Sequence, residues 1–156
     1  MVKDTYFKFI PVHSIDVKHN IYKGFSYINI DLLRNHEEVV EDRAISLLHY
    51  LKSIENYVVI PSILICNKTN VIIDGHHRCW ALKEMGVTEA PVTYINYSHP
   101  DIVTHLDDSI SKETIISAGI SGQLLKPKSS FHHVLDVYGE AKPLLLLSSL
   151  SKCMVM

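Results

Sequence analysis

The residues with the most chemical potential sit together in Asp74-Gly75-His76-His77-Arg78, between an apolar β-branched run and a segment of helical character. A helix start exposes backbone N–H groups with no partner inside the helix, and the helix dipole adds positive potential there. Gly75 allows a sharp turn and the close approach of an anion. Two imidazoles and a guanidinium in the first turn add donors, and Arg78 can grip a phosphate through two parallel bonds. Cationic groups have the wrong sign for a helix N-terminus unless an anion lies among them. The pattern points to a phosphate site. The plainer alternative makes Asp74 a helix cap and leaves the histidines solvated. A third reading takes His36, His76, His77 and Asp74 as metal ligands of a hydrolase or nuclease. Against it, adjacent histidines at a helix start point in different directions, whereas helical metal pairs sit at i and i+4.

Two other stretches carry reactive side chains. Asn35-His36-Glu37 leads into a helical pattern; on residue type alone, Glu37 reads as a surface carboxylate at a helix start, like Glu38 and Glu41. His36 reads equally as an anion donor or a packing residue. Lys128-Ser129-Ser130-Phe131-His132 offers a cation, two hydroxyls and an imidazole within five residues, suited to a second anion or to an ordinary polar loop. His13, His19, His49 and His99 read as surface or satisfied histidines.

These residues need a scaffold. Residues 7–12 and 27–30 alternate like short strands, with a turn-rich stretch at 18–24 between them. Asn35 or its neighbour is the expected cap of a helix whose stripe of Val40, Ala44, Leu47, Leu48, Leu51 and Ile54 faces the core. Residues 58–66 read as one buried strand, 67–70 as a turn and 71–74 as a second strand that Gly75 ends. A helix follows from His76 to Met85 with Gly86 as its stop, then a strand at 92–97. Ser111-Lys112-Glu113 reads as the cap and first turn of a helix that Gly122 ends. The predicted fold class is α+β: one domain over residues 1–134, then an apolar tail over 135–156. The tail is expected to cover the core or to pair with a second copy in a homodimer.

With 156 residues and 47% hydrophobic composition, the chain is large enough for one real core. Fifteen Lys+Arg against 17 Asp+Glu give a formal charge of −2, which argues against a nucleic-acid partner. Three cysteines (Cys66, Cys79, Cys153) lack metal-site spacing and exclude a disulfide framework. No leader-like start and no apolar run of about 18 residues is present, so a reduced cytoplasmic protein with no membrane partner is expected.

The stretch from 61 to 97, with Val71-Ile72-Ile73-Asp74-Gly75-His76-His77-Arg78 followed by Ala81-Leu82-Lys83 and Gly86, resembles the ParB/sulfiredoxin superfamily. The resemblance implies a small mixed sheet with helices packed on it and a phosphate-binding strand–turn–helix at 71–85. Sulfiredoxin carries a reactive Cys where this chain has His76, which excludes that chemistry here; Cys79, one turn on, reads as a packing residue. The double-His form is similar to that of the free L-serine kinases, which make O-phosphoserine. Asn35-His36-Glu37 fits that family's Pro-His-Glu, and Pro127-Lys128-Ser129-Ser130-Phe131-His132 fits its Pro-Lys-Thr-Thr-Arg-His. The three motifs, in order, span residues 32–133.

The resemblance implies ATP or ADP as donor, L-serine or a similar hydroxyl compound as acceptor, and Mg²⁺ held with the help of Asp74. Asp74, Gly75, His76, His77 and Arg78 would hold the nucleotide phosphates. Glu37 would be the catalytic base. His36, His105, Lys128, Ser129, Ser130 and His132 would bind substrate or a second anion. Two departures stand out: Phe131 replaces the family's Arg, and residues 102–106 lack the Trp or Tyr that helps hold serine, leaving His105 as substitute. A nucleotide-binding regulator that keeps the fold without catalysis is the alternative. A DNA-partitioning role lacks both a basic surface and a helix-turn-helix.

Overall fold

The computed structural model describes residues 7–10, 15–54 and 57–154. Its centre is a four-stranded sheet of β2 (Tyr22–Asn29), β6 (Glu89–Ile95), β4 (Ile63–Cys66) and β5 (Ile72–Asp74), in that order. β4 and β6 run parallel, while β2–β6 and β4–β5 are antiparallel, so the sheet is mixed. Successive side chains of a strand point to opposite faces. Ile63, Ile65 and Ile72 thus join one core with α1 (Glu41–Lys52) and α2 (His76–Glu84), through Leu48, Leu51, Cys79 and Leu82. Leu64, Cys66, Val71 and Ile73 face the other way, onto Ile115 of α3 (Lys112–Ser121). A sheet covered on both faces needs near-continuous apolar strands, which is why this region shows no alternation in sequence.

The single strand predicted over 58–66 is two strands in different sheets. β3 (Tyr57–Pro61) joins a second sheet and β4 the central one, and Ser62 makes the corner. Ser62 N–H donates to the Ser149 carbonyl (2.7 Å), its hydroxyl lies 2.6 Å from Thr93 Oγ1, and Ser149 N–H donates to Ser62 Oγ (2.9 Å). The turn-rich stretch expected up to residue 24 is partly strand: β2 starts at Tyr22, with a register shift accommodated by Gly24. The first predicted strand is β1 (Phe7–Ile10); the rest of that prediction, residues 11 and 12, lies outside the described residues, as does His13.

The segment after residue 134 is woven into the fold. The expected boundary cuts β8 (His133–Leu135), which pairs with β7 (Ile102–Val103) and β9 (Ala141–Pro143) in a third sheet. A 3-10 turn at Leu144–Leu147 buries Leu144, and β10 (Leu150–Met154) inserts between β1 and β3. No helix of the described residues is long and apolar enough to cross a membrane.

Candidate active site

Glu37 is carried by an extended segment, not by a helix. Asn35 caps nothing: α1 begins at Glu41, and its N-cap position, Val40, has no capping side chain. Residues 34–38 are stitched on both edges instead. Arg34 N–H donates to the Asn70 carbonyl and Ile72 N–H to the Arg34 carbonyl; Leu125 N–H donates to the His36 carbonyl and Glu38 N–H to the Leu125 carbonyl, at 2.8–3.1 Å. These backbone bonds outcompete the helical start that the three glutamates suggest. In an extended segment neighbours face opposite ways, so His36 turns into the core, fully buried, while Glu37 faces a cavity.

α2 begins where Gly75 bends the chain with φ +117°, a conformation that favours glycine. No side chain caps this helix and no acid lies in its first turn. His76 is almost wholly buried; its Nε2 accepts the His36 N–H at 3.2 Å, so the neutral ring carries its proton on Nδ1, which faces Glu37 Oε1 at 3.9 Å. His77 Nε2 accepts the Val40 N–H at 3.0 Å and so supplies the acceptor that the start of α1 lacks. Arg78 folds back over Gly75: Nη2 donates to the Ser62 carbonyl (3.2 Å) and reaches the Asp74 carbonyl and Oδ2 (both 3.5 Å). The parallel two-bond grip on a phosphate is therefore not preformed. Arg78 Nε is buried without a hydrogen-bond partner.

The 128–132 loop closes over Glu37. The backbone N–H groups of Ser130 and Ser129 favour its ionised form, the Ser129 N–H itself donating to the Lys126 carbonyl at 3.2 Å, and the Ser130 hydroxyl lies 3.4 Å from Oε2. Burial pushes the Glu37 pKa up, helped by the charge of Asp74, and outweighs these donors. His36 Nε2 lies 3.1 Å from Ser130 Oγ and its Nδ1 2.5 Å from the Ile72 carbonyl. Burial drives His36 down to about 4 and His132 to about 3, and holds His76 well below its ordinary value. The His36 and His76 rings meet edge to face at 4.4 Å between centroids, and His36 lies 5.9 Å from His132. Behind them the Tyr97 hydroxyl lies 2.8 Å from His132 Nε2.

One cavity of about 780 Å³ brings together Glu37, Asp74, Gly75, His76, His77, Arg78, His105, Lys128, Ser130 and His132. Two of the predicted ligand-contacting side chains do not reach it. His36 is sealed behind Ser130 with both ring nitrogens engaged, and the Ser129 hydroxyl turns back to the Lys126 carbonyl at 2.5 Å. His105 lines the cavity while pairing with Asp107 at 2.8 Å. Sequence reasoning missed Arg43 and Leu47 of α1 and residues 143–145 of the tail, all of which line the cavity. The i, i+4 spacing of Arg43 and Leu47 was the one available signal. It also missed that Phe131 N–H donates to the Thr104 carbonyl (2.9 Å), which brings an aromatic ring beside the 102–106 segment that lacks one.

His36, Glu37 and His76 place one possible metal-ligand atom each within 4.8 Å of one another. The hydrogen bonds speak against a transition metal there, because neutral His76 presents N–H, not a lone pair, to Glu37. Mg²⁺ prefers one or two carboxylates plus phosphate oxygens and water. Asp74, half-exposed on the cavity wall, fits that donor chemistry.

No family model matches the chain. It is similar to the ATP-dependent L-serine kinase of Desulfurococcus mucosus, 36% identical over 78 residues that make up 48% of this chain and 30% of the relative. The ATP-dependent L-serine kinase of Staphylothermus marinus is 33% identical over 73 residues, 45% of this chain and 29% of that one. The chain thus aligns with under a third of the length of these curated relatives. Among solved structures, a free serine kinase in complex with AMP superposes with a TM-score of 0.46 at 22% identity, over 61% of this chain and 39% of that one. SbnI with a C-terminal truncation, from Staphylococcus aureus, gives a TM-score of 0.44 at 16% identity, over 82% and 70%.

Proposed function

We propose that the protein is a small-molecule kinase that moves a phosphoryl group from ATP or ADP to the hydroxyl of L-serine, giving O-phospho-L-serine. The observation that carries this reading is the placement of the Glu37 carboxyl, cradled by Ser129 and Ser130, in the same cavity as the uncapped start of α2. Phosphoryl transfer needs positioned phosphates, neutralised charge and a base within reach of the attacking hydroxyl. The free N–H groups at the start of α2 would take the phosphates, with Arg43 and Lys128 on the same cavity wall supplying positive charge. Asp74 would help hold Mg²⁺, which supplies charge neutralisation on the phosphate oxygens. Glu37 would accept the serine hydroxyl proton; its upward pKa brings it nearer to the operating pH of a general base. The two relatives are ATP-dependent, which favours ATP as donor. A cytoplasmic location goes with such a donor.

The test is direct. The protein is incubated with Mg²⁺, ATP or ADP, and a panel of small hydroxyl compounds, and products are read by mass. O-phosphoserine from L-serine is the expected result. Tight nucleotide binding with no phosphorylated product from any acceptor would replace this reading with that of a nucleotide-binding regulator, which the folded-back Arg78 guanidinium favours.

A further inference from the structure

Ser130 has one hydroxyl proton and two acceptors for it. His36 Nδ1 faces the Ile72 carbonyl at 2.5 Å, and a carbonyl only accepts, so the ring proton sits on Nδ1. That leaves His36 Nε2 as a bare acceptor 3.1 Å from Ser130 Oγ, while Glu37 Oε2 lies 3.4 Å from the same oxygen. His36 is fully buried and touches no cavity space, so this acceptor serves the protein and not a ligand. We propose that Ser130 is a positioning residue whose proton follows the charge on Glu37, donated to Glu37 Oε2 while that group is a carboxylate and turned to His36 Nε2 once it is a carboxylic acid.

The arrangement rests on the reading of Glu37 as the base. When the acceptor oxygen forms its bond to phosphorus, the bond to the nucleotide's leaving oxygen breaks and that oxygen departs with the electron pair. The acceptor's proton passes to Glu37. The new Glu37 O–H then donates to Ser130 Oγ and Ser130 donates to His36 Nε2, so the acid form pairs all three groups, whereas the carboxylate form leaves the His36 acceptor without a donor. His76 Nδ1 and the charge of Asp74 act on Glu37 directly, and the other charged or titratable groups lining its cavity are Arg43 from α1, His77 and Arg78 from α2, His105, and Lys128 and His132 from the closing loop.

The experiment is a ¹³C NMR titration of the Glu37 side-chain carboxyl in the full chain, alongside kcat against pH. Ser130→Ala should raise the midpoint by about one pH unit, because the ionised form loses a donor. Ser130→Thr should restore it. His36→Phe should lower the midpoint, because the hydroxyl then has only Glu37 to serve. A purely structural role would not move the two variants in opposite directions. An unchanged midpoint in Ser130→Ala, or an upward shift in His36→Phe, overturns the proposal; if His36→Phe does not fold, the Ala and Thr variants decide it alone. The acidic limb of kcat should move with the titration while KM for nucleotide stays within about threefold. Titrations that move as stated in a protein without phosphoserine formation would reject the kinase reading and keep the positioning role. Turnover with static titrations would do the reverse.

Discussion

α2 and α3 start in opposite ways. α3 closes its own N-terminus: Ser111 Oγ accepts the Thr114 N–H at 3.1 Å, Glu113 lies in the first turn, and Gly122 ends the helix in a left-handed conformation. α2 has no side-chain cap, no acid in its first turn and three basic residues there, and it opens onto the cavity of about 780 Å³. α1 stands between the two, since His77 of α2 supplies its missing acceptor at Val40 N–H. A helix that serves only the core satisfies its end donors locally. One that leaves them facing a cavity, with positive charge added, offers them to an anion from outside.

Four outcomes would sharpen or break that contrast. The largest concerns Glu37, the proposed base beside the open helix start. Glu37→Gln should cut phosphoserine formation by roughly 10²–10⁴-fold, with nucleotide Kd within a fewfold; normal turnover would leave α2 as a binding site only. Next comes acid. The histidines packed at the α2 start are held neutral, with His36 at about 4 and His132 at about 3. Their contribution is fully present above the unfolded value near 6.5 and is lost as pH falls toward those folded values. For His36 alone this is on the order of 3 kcal/mol. The raised Glu37 works in the opposite sense, stabilising at low pH, and offsets part of the loss. Denaturant midpoints should therefore drop steeply between pH 6.5 and 4, and a flat profile would mean that the ring cluster opens to water.

Arg78→Ala should weaken nucleotide binding by ~1.5–3 kcal/mol, typical of a hydrogen bond to a charged group. It should also lower stability, since it strips the Ser62 and Asp74 carbonyls of a donor. Unchanged affinity with reduced stability would make this guanidinium a structural brace. The smallest effect belongs to α3. Ser111→Ala should cost about 1 kcal/mol in thermal or denaturant unfolding and leave nucleotide affinity untouched. A fall in affinity would show that the two helix starts are not independent.

Much of the site was legible before any coordinates. The glycine turn, the basic first turn of α2, the self-capped α3 and the apolar strands around them follow from residue type and spacing. The helix start at residue 35 did not survive, because main-chain bonds to residues 70, 72 and 125 claim the segment, and those partners are distant in sequence. For the same reason His36 read as a possible ligand contact and is a buried support. The tail read as a separate piece because its pairing partners, β1, β3 and β8, lie anywhere from a few to well over a hundred residues away.

Local chemistry determined the α+β class, the glycine turn with its basic helix start at Asp74-Gly75-His76-His77-Arg78, and the three separated stretches that carry reactive groups. Backbone conformation and short-range spacing are enough for these, since glycine freedom, helix-end donors and side-chain charge act within a few residues. Which nitrogen of each histidine carries the proton, which way Arg78 folds, and whether Glu37 meets Ser130 were decided in three dimensions. Burial and hydrogen-bond direction depend on atoms tens of residues apart, and only the packed fold brings those atoms within 4 Å of one another.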